Sequence, residues 1–142
     1  MAMRINDVIP LKCTETSFFR AWMEMLTPIH KLTAREKDVA ARILIQYFKF
    51  KGKVPDPIVA NELLWSQNSR RDMRESLGMS AAHFQMVLAK LRSPEVLFLV
   101  DEYTINNKYI PSLREGEPRY LLGIYYDWSS PANPVRNEEQ NA

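Results

Sequence analysis

Cysteine occurs once in this 142-residue chain, at Cys13, so no internal disulfide framework can staple the fold. A lone thiol suits a reducing compartment, and nothing near the N-terminus resembles a signal peptide, so the expectation is a cytoplasmic protein. Histidine is nearly as scarce. The two present, His30 and His83, share no metal-ligand spacing with Cys13 or with each other, so neither a metal site nor a cofactor is expected. The four glycines stand apart at positions 52, 78, 116 and 123. Neither a G-x-G-x-x-G loop nor a lysine-bearing phosphate loop can be built from them. No apolar run approaches the roughly 18 residues of a membrane span. Charge of one sign is lacking as well. Nineteen Lys and Arg against 17 Asp and Glu leave +2, short of the broad positive field of a non-specific nucleic-acid binder. Any nucleic-acid footprint must come from local clustering.

Signs of catalysis are missing too. No serine or cysteine stands with a histidine and a carboxylate in a recognisable order. Asp101-Glu102 is an acidic pair at an expected strand end, and a solvated turn explains it more simply than acid–base chemistry. Nothing marks a small-molecule substrate, and the chain reads as a non-enzyme.

What is present is enough for a folded domain: 46% hydrophobic residues and three tryptophans. Three segments are expected, an N-terminal arm with an aromatic helix (1–31), a main domain (32–128) and a polar tail (129–142). Thr16 or Ser17 can start the first helix, which runs through Phe18, Phe19, Trp22, Met23, Met25 and Leu26 until Pro28 halts it. Its apolar residues occupy more than one face, so it should pack on the main domain or pair with a second copy as a homodimer.

Thr33 and Glu36 have capping-box spacing at the head of a long helix in which Val39, Ala40, Ile43, Leu44, Tyr47 and Phe48 keep helical period toward Gly52. Lys49, Lys51 and Lys53 crowd its C-terminal end, where the helix dipole favours cations without any ligand. Val54 to Pro57 reads as a loop, and Ile58 to Trp65 as a short helix. Ser69 and Asp72 then predict a further helix carrying Met73 and Leu77 on one face, and Gly78 supplies the positive φ past its end. Ser80 caps the next helix, whose Phe84, Val87, Leu88 and Leu91 form one apolar stripe. Two helices joined by a tight glycine turn are the sequence form of a helix-turn-helix.

After Arg92 the period changes. Val96 to Val100 reads as a buried strand, Tyr103 to Pro111 as extended segments around a turn, and Arg119 to Tyr126 as a second strong strand. Tyr103, Tyr109, Tyr120, Tyr125 and Tyr126 gather here with basic residues between them. They suit either a stacking platform for single-stranded nucleic acid or cross-strand packing, and packing is the simpler reading.

The order helix, helix, turn, helix, hairpin resembles the winged helix-turn-helix family over about Leu32 to Trp128. Leu32 to Val39 looks like the opening helix of many bacterial regulator domains, and Arg71 through Leu77-Gly78-Met79-Ser80 to Arg92 like their turn and recognition helix. The opening is also similar to the LuxR-like helix-turn-helix, from which the chain departs by the insertion Phe50 to Asn68 and by the strands after Arg92. The chain as a whole further resembles small proteins of tailed phages. The resemblance implies an α+β, mostly helical fold, a winged helix-turn-helix with an extra N-terminal helix and a C-terminal β-hairpin wing.

It also implies duplex DNA as partner, with the helix from Ser80 to Arg92 in the major groove, as in a transcriptional regulator or replication factor. Ala81, Ala82, His83, Gln85, Met86, Ala89 and Lys90 would face outward. Gln85 can pair with adenine, and Ala81 or Ala82 can touch a thymine methyl. Arg70, Arg71, Arg74, Lys90 and Arg92 would hold phosphates, with Lys108, Arg114 and Arg119 on the wing. The leading half of that helix carries no arginine or lysine, and Ala81-Ala82 with Met86 makes a smooth surface on which a protein can dock. The alternative is therefore a non-catalytic phage assembly, packaging or virion component that uses the same fold to hold partners.

Overall fold

The computed structural model describes residues 12–113, with the side chain of Glu15 excepted. The elements within them are α1 (Glu15–Met25), α2 (Thr27–His30), α3 (Ala34–Lys53), α4 (Pro57–Leu64), α5 (Gln67–Leu77), α6 (Ala81–Leu91), β1 (Leu99–Asp101), β2 (Thr104–Ile105) and a 3-10 turn (Asn107–Tyr109). The fold is thus mostly helical, with one small antiparallel sheet. All of these elements precede the division of the chain into two units between Pro111 and Ser112.

The long helix begins where the sequence says it should. Thr33 Oγ1 accepts from the Glu36 amide, and the Glu36 carboxylate accepts from the Thr33 amide at 2.9 Å. This reciprocal pairing satisfies two of the donors that a helix start leaves open. Gly52 does not end α3. The helix runs through it to Lys53, and Pro55 follows shortly after as the stop. Val39, Ile43 and Leu44 on its inner face are fully buried, as are Ala40 and Ala41 to within a few per cent. Each of the larger side chains contributes roughly 1.5–3 kcal/mol by leaving water. α3 is the central strut, and α1, α4, α5 and α6 all pack on it.

The first helix starts earlier than expected, because Thr14 is its cap: Thr14 Oγ1 accepts from the Ser17 amide, and Ser17 Oγ accepts from the Thr14 amide. It stops at Met25, before Pro28, which lies instead in the first turn of α2, where a missing N–H costs nothing. Phe19, Trp22 and Met23 are buried, and Phe19 stacks on Phe48 of α3 at 5.3 Å. Phe19, Trp22 and Met23 are thus packed within this chain, while Met25 of the same helix is 42% exposed. An ionic seam finishes the contact. Lys37 Nζ reaches Glu24 at 2.8 Å, and Arg20 bonds both Glu24 (2.9 Å) and Asp38 (2.8 Å). Hydrogen bonds from Lys37 and Arg20 pull the Glu24 carboxyl down to about 2.

His30 closes the joint between α2 and α3. The Leu32 amide donates to Nδ1 at 2.9 Å, which fixes the neutral tautomer with its proton on Nε2, and Nε2–H donates to the Met23 carbonyl at 2.8 Å. Burial lowers its pKa against the smaller opposing effect of the Met23 bond. The next residue, Lys31, turns the chain with φ 56°.

Among the described residues the sheet is shorter than the sequence suggests, and its first strand starts later. Val96 and Leu97 belong to a turn, both amides donating to the Ser93 carbonyl, and Leu97 has φ 51°. β1 therefore starts at Leu99. Its partner is β2, with Leu99 opposite Ile105 and Asp101 opposite Thr104. The tip is tied by Asp101 Oδ1, which accepts from the Tyr103 amide at 2.8 Å. The expected strand Arg119–Tyr126 and the expected tail lie outside the described residues. Behind the hairpin, Tyr109 is buried against Phe98 (5.5 Å), and the Trp22 indole N–H donates to its carbonyl at 2.8 Å.

Candidate nucleic-acid interface

The turn between α5 and α6 is built from three local decisions. α5 begins at a Ser66 cap, three residues before the Ser69 expected in that role. Ser69 is instead buried, where its hydroxyl accepts from Gln46 Nε2 of α3 at 3.1 Å. At the other end Gly78 takes φ 61°, ψ 42°, and the Met79 amide donates back to the Arg74 carbonyl at 2.9 Å, a Schellman-type closure. Ser80 Oγ then accepts from the His83 amide at 3.1 Å and starts α6. Buried Met79 fills the corner.

α6 is two-sided. Phe84, Val87, Leu88 and Leu91 are each no more than 5% exposed. Ser80, Ala81, Ala82, His83, Gln85, Met86, Ala89 and Lys90 all face solvent, and Met86 is 71% exposed. The outward face named from the sequence is therefore a continuous surface, with small side chains leading and Gln85 and Lys90 behind.

The arginines divide. Arg71 is exposed and bonds Asn68 at 2.9 Å, while Arg74 and Arg92 are half-buried. Among the described residues their carboxylate neighbours Asp72 and Glu75 form no ion pair with them; the ion pairs there run along α1 and α3. Arg70 is engaged inward. Its Nε donates to the Trp65 carbonyl at 3.1 Å, and its Cζ lies 5.7 Å from the Trp65 ring and 6.0 Å from the Tyr103 ring. It joins α5 to the hairpin, and a phosphate could take only its distal nitrogens. Lys108 sits over the Tyr109 ring at 5.7 Å, on the hairpin side. Arg114 and Arg119 lie outside the described residues.

Two basic residues escaped the sequence reading. Arg35 Nη2 donates to the Leu77 carbonyl at the end of α5, so α3 holds the turn directly. The Arg35–Leu77 and Gln46–Ser69 contacts set α3 and α5 antiparallel, and Arg42 lies between them on the same face of α3. Its Nε is buried without an acceptor. Helical spacing could have grouped Arg35, Arg42 and Gln46, but nothing in it names a partner helix.

Among the described residues no three His, Cys, Asp or Glu side chains converge as metal ligands would, and no helix is long and apolar enough to cross a membrane. Compared with known proteins, the chain matches no family model, no curated protein and no solved structure.

Proposed function

We propose that this is a winged helix-turn-helix protein that binds duplex DNA by setting α6 in the major groove. The observation that carries the reading is the division of α6: one face is buried to the last stripe residue, and the other is exposed from Ser80 to Lys90 on a turn fixed by Gly78 and Arg35. A helix so fixed presents its side chains in one orientation, as base readout requires. Arg71, Arg74, Lys90 and Arg92 supply phosphate contacts, and Gln85 reads adenine. The β1–β2 hairpin stands where a wing would follow. Transcriptional regulation or replication initiation is the task that suits such a reader.

A second reading is favoured by Met86. A methionine 71% exposed beside Ala81 and Ala82 is an apolar spot suited to protein contact, as in an assembly, packaging or virion component. Fluorescence anisotropy with labelled random duplex at about 50 and 200 mM salt separates the two. With four phosphate contacts, DNA binding predicts a loss of about 10²-fold between them. It also predicts weakening in Arg71→Ala and Arg74→Ala variants. No binding at the lower salt makes α6 a protein-docking face.

A further inference from the structure

The outward face of α6 has an order that its composition hides. Ala82, Met86 and Ala89 stand at i, i+4 and i+7, so they form one line down the helix. That line lies opposite the buried stripe of Phe84, Val87, Leu88 and Leu91. All three are exposed, and Met86, at 71%, is the most exposed large apolar side chain among the described residues. The hydrogen-bonding side chains stand to either side. Gln85 is on one flank with Ala81, four residues before it, and His83 and Lys90, seven apart, are on the other. A helix lying in the major groove sets the middle of its outward face on the groove floor. Here that middle is apolar, and its one long side chain carries no strong donor or acceptor.

We propose that Met86 is a specificity-determining residue that packs on thymine methyl groups, so that α6 selects A·T pairs. This role of Met86 rests on the duplex reading above. The floor of the major groove presents hydrogen-bonding atoms at every base pair and a single apolar group, the C5-methyl of thymine. Against G·C an apolar line strips water from the guanine N7 and O6 and the cytosine amino group and returns no bond, which costs affinity. Against A·T it covers a methyl, to which an unbranched thioether adapts readily, while Gln85 on the flank takes the adenine N6 and N7. His83 does not oppose this choice. A neutral imidazole has one N–H to donate, and N7 accepts it on either purine. The usual bidentate partners of guanine are arginine and lysine. Neither stands in the leading turns of α6, and Lys90 lies in the last. The same methyl is found on 5-methylcytosine, but the guanine opposite it offers no donor to the Gln85 carbonyl.

Selection by the full chain from randomised duplex supplies the probe, and the enriched site should contain thymine. That duplex is then remade with uracil in place of thymine, which removes the methyls and leaves pairing and charge unchanged. Fluorescence anisotropy compares the two duplexes on the wild type and on Met86→Ala. The wild type should lose about fourfold for each methyl it buries. Met86→Ala, at an exposed position, should keep its circular dichroism, bind the thymine duplex more weakly by a similar factor, and bind both duplexes alike. A methionine with a merely structural role would leave the uracil loss intact. An enriched site without thymine, a wild-type affinity unchanged by uracil, or a uracil loss that persists in Met86→Ala overturns the role given to Met86. Tighter binding when the A·T pairs are replaced by guanine and 5-methylcytosine overturns the choice of thymine. No enrichment and no duplex binding at the lower salt overturns the duplex reading itself, so the two fail separately.

Discussion

Replacing Gly78 by alanine tests whether the turn that presents α6 is held by backbone conformation alone. Gly78 sits in the left-handed region at φ 61°, and a Cβ placed there meets nothing within 4 Å. The whole cost is therefore intrinsic. An L-residue in that region costs roughly 1–2 kcal/mol. Alanine recovers about 0.4–1 kcal/mol by restricting the unfolded chain. The net loss is about 0–1.6 kcal/mol, centred near 0.8. With a urea m-value of about 2 kcal/mol per molar, the midpoint should fall by roughly 0.5 M at unchanged slope. Asparagine visits this region more readily, so Gly78→Asn should lose less than Gly78→Ala. Urea unfolding followed by far-UV circular dichroism reads both. Alanine more stable than wild type, or asparagine worse than alanine, refutes the reasoning.

The remaining predictions concern the joints. His30 is held neutral with its pKa below the ordinary 6.5, between the Met23 carbonyl and the Leu32 amide and near Lys37 and Glu24. The unfolded chain therefore binds this proton first as pH falls. Stability from this group is complete above about pH 6.5 and declines below it, by at most about 1.4 kcal/mol per pH unit for one proton. Stability curves between about pH 7 and 5 should slope less in His30→Gln than in wild type, and equal slopes would refute the assignment. Ser69→Ala should cost about 1–3 kcal/mol by leaving the buried Gln46 amide without its acceptor. Thermal unfolding checks it, and a loss within about 0.5 kcal/mol, as at an ordinary surface site, would show that Gln46 finds another partner.

Much of the helical frame was legible because its signals are local. The Thr33–Glu36 capping box, the Gly78 turn, the Ser80 cap and the stripe of α6 each depend on residues within a turn or two, and each stands as read. The errors are of two kinds, local signals overridden by a distant partner and helix stops that the chain tolerates. Ser69 has the chemistry of a cap, but Ser66 caps the helix and Gln46, 23 residues away, claims the Ser69 hydroxyl. Gly52 and Pro28 read as helix stops, yet α3 runs through the first and α2 accepts the second in its opening turn. Arg70 reads as one more surface cation until Trp65 and Tyr103 come together around it. At Ser69 and Arg70 local propensity yields to a partner from another element. The bond from Asn61 to the Tyr103 carbonyl had no signature at all, because its partners lie 42 residues apart in the chain.

The bond from the Trp22 indole to the Tyr109 carbonyl spans 87 residues of chain. On the ribosome, where synthesis proceeds at about 5–20 residues per second, α1 emerges early and must wait several seconds before that acceptor exists. During this interval Phe19, Trp22 and Met23 have α3 to cover them only once α3 too has left the exit tunnel. The first of the described helices to be made is thus among the last to gain all its partners. A nascent chain halted before Tyr109 would carry an aromatic helix with one of its native tethers still unmade, the kind of surface that chaperones engage.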